Sequence, residues 1–226
     1  MKYLITLILA LCITACGEQA QAPKAQPHED IFVLIENGGT IASEDQDEAL
    51  NTALNLLQQL TSLARRKATN DIQIHIILSA LPNRIAWSGT AGQLLSQAED
   101  VKNLIVFKPT FSDLVMAFEQ IETTVNLTQP DTIRLYWIGS TVHVPFQAGN
   151  SPIEVEVPQA VPSGLALGNI ASKLTTLKIM RVHPDQDKIL QAYLSSLGIL
   201  KRARSGELDF ELLGDAQTKS RLNTLL

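Results

Sequence analysis

Ile31-Phe-Val-Leu-Ile-Glu-Asn-Gly-Gly-Thr-Ile-Ala-Ser43 is an apolar run that stops at a turn carrying one acid, two glycines and two threonine or serine hydroxyls. Five consecutive large apolar residues, four of them β-branched or aromatic, read as a buried strand. Ser43 and Gln46 have capping-box spacing, and apolar residues then recur at 50, 53, 54, 57, 60 and 64, one face of a helix. Acids at 44, 45, 47 and 48 near its start and Arg65, Arg66 and Lys67 near its end complement the helix dipole. A buried strand feeding an amphipathic helix through a polar turn is the opening unit of an open α/β sheet. In such sheets ligands bind at the carboxyl ends of the strands. The turn is therefore the first candidate site.

Downstream the same alternation continues. Residues 71–81, rich in isoleucine, read as a strand, Pro82-Asn83 as a turn and residues 84–87 as a short antiparallel return. Thr90 and Gln93 form a second capping-box pair, and Thr110 to Asp113 caps a helix whose Leu114, Phe118, Ile121 and Val125 share one face. Residues 132–138 and 176–182 read as strands. Residues 185–197 read as a helix stopped by Gly198, 207–213 as a last strand, and a final helix starts at Asp215. Between 141 and 157, Val142, Val144 and Phe146 alternate with polar or small residues, as do Ile153, Val155 and Val157, around a Gly-Asn-Ser-Pro turn. That pattern predicts a β-hairpin insertion. The fold class is α/β: a doubly wound, mostly parallel sheet with helices on both faces and the opening strand in its middle.

The front of the chain is of another kind. Lys2 precedes a short apolar run from Leu4 to Ile13, the form of a bacterial secretion signal over residues 1–15. Ile13-Thr-Ala-Cys16 resembles a lipobox, the bacterial lipoprotein motif. The resemblance implies cleavage before Cys16, a diacylglycerol thioether on its thiol and an acylated amino terminus, giving a bilayer anchor. Cys12 leaves with the signal, so the mature chain keeps one cysteine and no disulfide partner. Gly17-Glu18 in place of an aspartate after Cys16 resembles the outer-membrane sorting pattern of Gram-negative lipoproteins, facing the periplasm. Residues 16–29 contain two prolines and no large apolar residue, and form a polar tether. The domain proper is 30–226. A net charge of −5 excludes general nucleic-acid binding.

The order of elements over 30–226 resembles a von Willebrand factor type A domain. That family's metal site uses Asp-x-Ser-x-Ser after the first strand, a threonine before a middle helix and an aspartate after the fourth strand. The resemblance puts Glu36 at the first acid, Gly38 and Thr40 at the two hydroxyls, Thr110 at the threonine and Gly139 at the last acid. One acid is thus lengthened, the other is missing and one hydroxyl is gone. This predicts a degenerate ligand site at Glu36, Thr40 and Thr110 with no metal, since divalent ions of this type want several hard oxygen ligands. Gly38-Gly-Thr-Ile-Ala42 also resembles the amino-terminal motif of bacterial-type asparaginases, which would make Thr40 a nucleophile. The alternative function is then a hydrolase, although the His-Gly-Thr-Asp-Thr segment of that family is absent and Asn37 replaces its first threonine. The histidines 28, 75, 143 and 183 are scattered and read as structural, with His183-Pro-Asp185 a turn and helix cap. Lys201, Arg202 and Arg204 read as a solvated basic patch. Together these features predict a non-enzymatic protein-interaction or scaffold module without cofactor. It would be held to the bilayer through acylated Cys16, with an envelope protein as partner in a secretion, conjugation or pilus assembly.

Overall fold

The computed structural model describes residues 27–65, 72–146 and 155–226. The signal segment, Cys16 and nearly all of the tether lie outside the described residues, as does 147–154 of the expected hairpin. In chain order the elements are β1 (Glu29–Ile35), α1 (Gln46–Thr61), β2 (Ile72–Leu78), β3 (Ile85–Gly89), α2 (Ala91–Ser96), α3 (Ala98–Leu104), α4 (Leu114–Thr128) and β4 (Thr132–Ile138). They continue with α5 (Leu167–Ile170), β5 (Leu174–Met180), α6 (Pro184–Ser196), α7 (Ile199–Arg204), β6 (Asp209–Leu213) and α8 (Asp215–Ser220). The strands form one sheet in the order β3-β2-β1-β4-β5-β6. Only the edge strand β3 is antiparallel to its neighbour.

Strand alternation builds the two layers. Phe32 and Leu34 point to one face with Leu135, Trp137, Leu177 and Ile179, under Phe118 and Ile121 of α4 and Leu190 and Leu194 of α6. Ile31, Val33 and Ile35 point to the other with Ile74, Ile76, Tyr136 and Ile138, under Leu56 and Leu60 of α1, Leu94 of α2 and Val101 of α3. Residues 31–35 are wholly buried, which is why β1 shows no polar alternation. With helices on both faces the fold is doubly wound, and the connections diverge between β1 and β4, the sheet's switch point.

Local chemistry is mostly as the spacing predicts. Thr90 and Gln93 close a reciprocal capping box, Asp113 caps α4 by accepting from the Met116 amide at 3.0 Å, and Gly198, at φ +74°, breaks the chain between α6 and α7. Ser43 does not cap α1. The chain enters through a 3₁₀ turn over Ser43–Asp45, so Ser43 is already inside the helical spiral and its hydroxyl turns to Glu44, 3.1 Å away. At the far end another 3₁₀ turn, Ser62–Arg65, buries Leu63 and leaves Ala64 outside.

The hairpin expectation fails in its described parts. Neither 141–146 nor 155–157 carries a strand ladder. Val144 instead exchanges both backbone hydrogen bonds with Ser112 in an isolated antiparallel bridge, at 2.9 and 3.1 Å. The Phe146 amide donates to the Asp113 carboxylate at 2.8 Å. The start of α4 thus satisfies the backbone groups that a hairpin partner would have taken. Thr141, at φ +62°, bends the chain out of the extended region to reach it.

Candidate functional site at the carboxyl edge

The turn after β1 and the turn after β4 meet across the switch point, and Glu36 fills the join. Its side chain is wholly buried. One carboxyl oxygen accepts the Trp137 indole N–H at 2.7 Å and the Thr141 amide at 2.9 Å. The other accepts the Ser140 hydroxyl at 2.9 Å and, weakly, the Thr40 hydroxyl at 3.5 Å. Burial pushes the carboxyl up to about 7, against the pull of these four donors.

The places that would complete a metal site are closed by packing. A Cβ on residue 139 would lie 2.4 Å from the Glu36 Cβ, and one on residue 38 would lie 2.3 Å from the Phe111 carbonyl oxygen. Gly39 donates to the Thr110 carbonyl at 2.7 Å, clamping the first turn onto the loop before α4. Thr110 therefore meets the turn through its backbone, while Thr40 and Glu36 meet through their side chains. The longer acid at 36 occupies the volume of the acid missing at 139. Among the described residues no group of three or more His, Cys, Asp or Glu side chains is arrayed to hold a metal ion.

Asn37 is the other organiser of this edge, and sequence reading treated it only as a substituted threonine. Its carboxamide donates to the Val106 carbonyl at 2.8 Å and accepts the Ala80 amide at 3.0 Å, and its carbonyl accepts the Lys108 amide at 2.9 Å. Ser79 binds the Asn37 amide and the Ser112 hydroxyl. Three loops are stitched together with their buried polar groups satisfied. Trp137, Ser140 and Thr141 were likewise missed as partners of Glu36, because nothing in a strand end announces which side chain it will meet.

Arg181, at the end of β5, also escaped notice. It sits at φ +65°, a left-handed conformation that is costly for a non-glycine residue. Its guanidinium, 3% exposed, pairs with Asp215 at 3.1 Å, Glu48 at 3.3 Å and Asp45 at 3.8 Å. Lys219 covers Glu48 from outside at 2.7 Å. Beside it a cleft of about 230 Å³ is lined by Thr40, Asp45, Ser140, Val142, Val155, Arg181, His183 and Asp215 among others. Apolar side chains stand exposed along the same edge. Phe146, 55% exposed, packs edge-on against Phe111 at 4.7 Å, and Val106 is 54% exposed.

The histidines take structural posts. His183 caps α6 by accepting the Asp185 amide at 3.2 Å. His143 accepts the Leu114 amide at 3.1 Å, and burial holds it below its ordinary range. His75 stacks on Phe32 and bonds Ser88 at 2.8 Å. His75 and His28 both approach Asp30, at 3.6 and 3.1 Å, at the opposite, amino end of the sheet. Arg202 of the expected solvated patch in fact binds the Ala171 and Leu174 carbonyls.

Chemically, a carboxyl near 7 beside a threonine hydroxyl is the raw material of general-base activation. Here its lone pairs are committed to the Trp137, Thr141 and Ser140 donors, and the Thr40 contact is the longest of the set.

No protein-family model and no curated protein sequence matches this chain. Among solved structures it is similar to the pilus adhesin SpaC from Lactobacillus rhamnosus GG in its open conformation, with a TM-score of 0.52 and 14% identity over 88% of this chain. A second crystal form of the same adhesin gives a TM-score of 0.49 and 13% identity over the same share. This chain spans 30% of the adhesin's length. At that identity the likeness is one of fold, and the fold is the doubly wound, mostly parallel α/β sheet expected from the order of elements.

Proposed function

We propose that this protein is a non-enzymatic interaction module of the bacterial envelope, docking a partner protein on the carboxyl edge of its sheet. The observation that carries the reading is the closed state of the switch point. Glu36 is saturated by donors from two turns, and the metal positions are filled by packing. What the edge offers outward is a rigid surface with exposed Phe146, Val106 and Val155. Exposed apolar side chains on a pre-organised frame suit protein docking. The similarity in fold to part of a pilus adhesin agrees with a surface or pilus-associated role.

Lipid on Cys16 would hold the module at the periplasmic face of the outer membrane. About a dozen tether residues reach at most roughly 40 Å. The tether ends where the His28 amide donates to Asp131 at 2.9 Å, at the amino end of β1. The docking edge lies at the other end of the strand, roughly 20 Å further out at about 3.3 Å per residue, so the anchor would present it away from the bilayer.

A hydrolase built on Thr40 has one observation in its favour, the 3.5 Å contact with Glu36. It ranks second because that carboxyl is already bound by three better donors.

The deciding experiment is site-specific photo-crosslinking in the envelope of the native host. A photoreactive residue at Phe146 is expected to give a discrete adduct, and one at Leu95, exposed on α2 away from the edge, none. Equal labelling from both, or none from Phe146, overturns the edge as docking face. Ammonia release from asparagine or glutamine that requires Thr40 would establish the hydrolase instead.

A further inference from the structure

The carboxyl edge carries a groove longer than the cleft beside Glu36. A second hollow, of about 580 Å³, is lined by Val182, Pro184, Asp187, Gln191, Leu212 and Asp215 among others. Pro184 and Asp215 line both hollows, so the two lie side by side along the edge, from the Thr40 turn past the end of β5 to the start of α8. Val142, Val155, Val157, Val182 and Leu212 give them apolar patches among polar groups. Asp45, Asp187 and Asp215 stand along the groove.

Two of its lining groups are basic, and neither is free for a ligand. The Arg181 guanidinium is buried under three carboxylates. The His183 Nδ1 is held as the acceptor that caps α6. Arg181 and Lys219 together face Asp45, Glu48 and Asp215, which still leaves negative charge over, and those acids are about half exposed, so the surplus faces solvent. Asp187 adds to it, bonded to the neutral Gln191 side chain at 3.0 Å. A partly apolar trough with an unbalanced acidic lining fits side chains that carry a cation on a methylene stem. The stem lies on the valines and the head reaches the acids.

We infer that the groove from Asp45 to Asp187 binds a lysine- or arginine-bearing segment of the partner protein, resting on the edge-docking reading above.

The test uses the full-length chain in neutral detergent and two fluorescein-labelled peptides, alternating lysine–valine and alternating glutamate–valine. The lysine peptide is expected to bind, and the glutamate peptide to bind at least about tenfold more weakly. Asp187 makes no ion pair with Arg181, so Asp187→Lys should stay folded, with a slightly lower melting temperature from reversing a first-turn charge of α6, while weakening the lysine peptide about tenfold. Asp45→Asn should weaken it a few-fold. Equal affinity for the two peptides, no binding of the lysine peptide, or indifference to Asp187→Lys in a folded variant overturns the inference. Crosslinks from Phe146 alongside such indifference would remove the groove and leave edge docking standing. A charge-dependent peptide response without Phe146 crosslinks would keep the cation-binding groove and remove the docking face.

Discussion

Glu36 and Gly139 share one volume: the Glu36 side chain lies where a side chain at 139 would have to go, with its Cβ, Cγ and Cδ all within 2.5 Å of a Cβ placed on residue 139. The two turns at the switch point are therefore coupled by exclusion. Gly139→Ala should destabilise the protein by about 2–4 kcal/mol through overpacking. Glu36→Ala should do so too, because the Trp137 and Thr141 N–H donors lose their acceptor. In the double variant the contacts with Cγ and Cδ go while the Cβ–Cβ contact at 2.4 Å stays, so the clash is partly relieved and the combined loss should fall short of the sum by roughly 0.5–1 kcal/mol in urea unfolding. Strict additivity would contradict the shared-volume account.

The burial of Glu36 has a pH signature. Its carboxyl is raised from 4.5 to about 7, so between those values the folded protein holds a proton that the unfolded chain has released. Stability should fall as pH rises through that window and level off above it, by roughly 3 kcal/mol at most. Glu36→Gln keeps an acceptor for Trp137 and Thr141, and its amide can donate to the Ser140 and Thr40 hydroxyls. Urea midpoints at pH 5 and 8 should therefore converge in this variant. Asp30 acts outside this window. Burial pushes its carboxyl up, but the His75 imidazole 3.6 Å away, the hydrogen bond from Thr128 at 2.6 Å and the His28 imidazole outweigh that and hold it below the ordinary aspartate value. Its contribution is present above that value and is lost only on stronger acidification.

No divalent cation should stabilise the fold. Calorimetry with magnesium, manganese and calcium is expected to show no binding tighter than roughly 100 μM, because Glu36 already accepts from four donors and a six-oxygen shell has no room at 38 or 139. A tighter site that vanishes in Glu36→Ala would overturn this.

Arg181→Met keeps most of the side-chain volume and removes the charge that Asp45, Glu48 and Asp215 share. It should cost about 1–3 kcal/mol, discounted from a fully buried network because the acids are half exposed. High salt should narrow the deficit by screening the acids from one another. An unchanged melting temperature in low salt would show the cluster to be energetically silent.

Cys16→Ser should move the protein from the membrane to the soluble fraction and abolish incorporation of radiolabelled palmitate. Retention on the membrane by the serine variant would refute the lipid anchor.

The sequence alone determined the sheet. Isoleucine-rich runs and five-residue apolar blocks can only be buried strands, and helical spacing with caps such as Thr90–Gln93 and Asp113 places helices between them. These signals are local, so they survive without knowledge of the partners. The Ser43 cap and the described parts of the 141–157 hairpin failed where a neighbouring segment competed: a 3₁₀ turn took Ser43 inside the helix, and the start of α4 took the backbone bonds of Val144 and Phe146. The site was legible only by its members. Glu36, Thr40 and Thr110 all lie at one edge, but their roles came from residues 100 positions away. Trp137, Ser140 and Thr141 turn Glu36 into a caged acid, and Phe111 and Glu36 themselves fill the places of the missing ligands. Contact across the switch point between β1 and β4 is a tertiary fact, since only folding brings those two turns together. It changed the opening stretch from a turn with catalytic vocabulary into the keystone of a closed sheet edge.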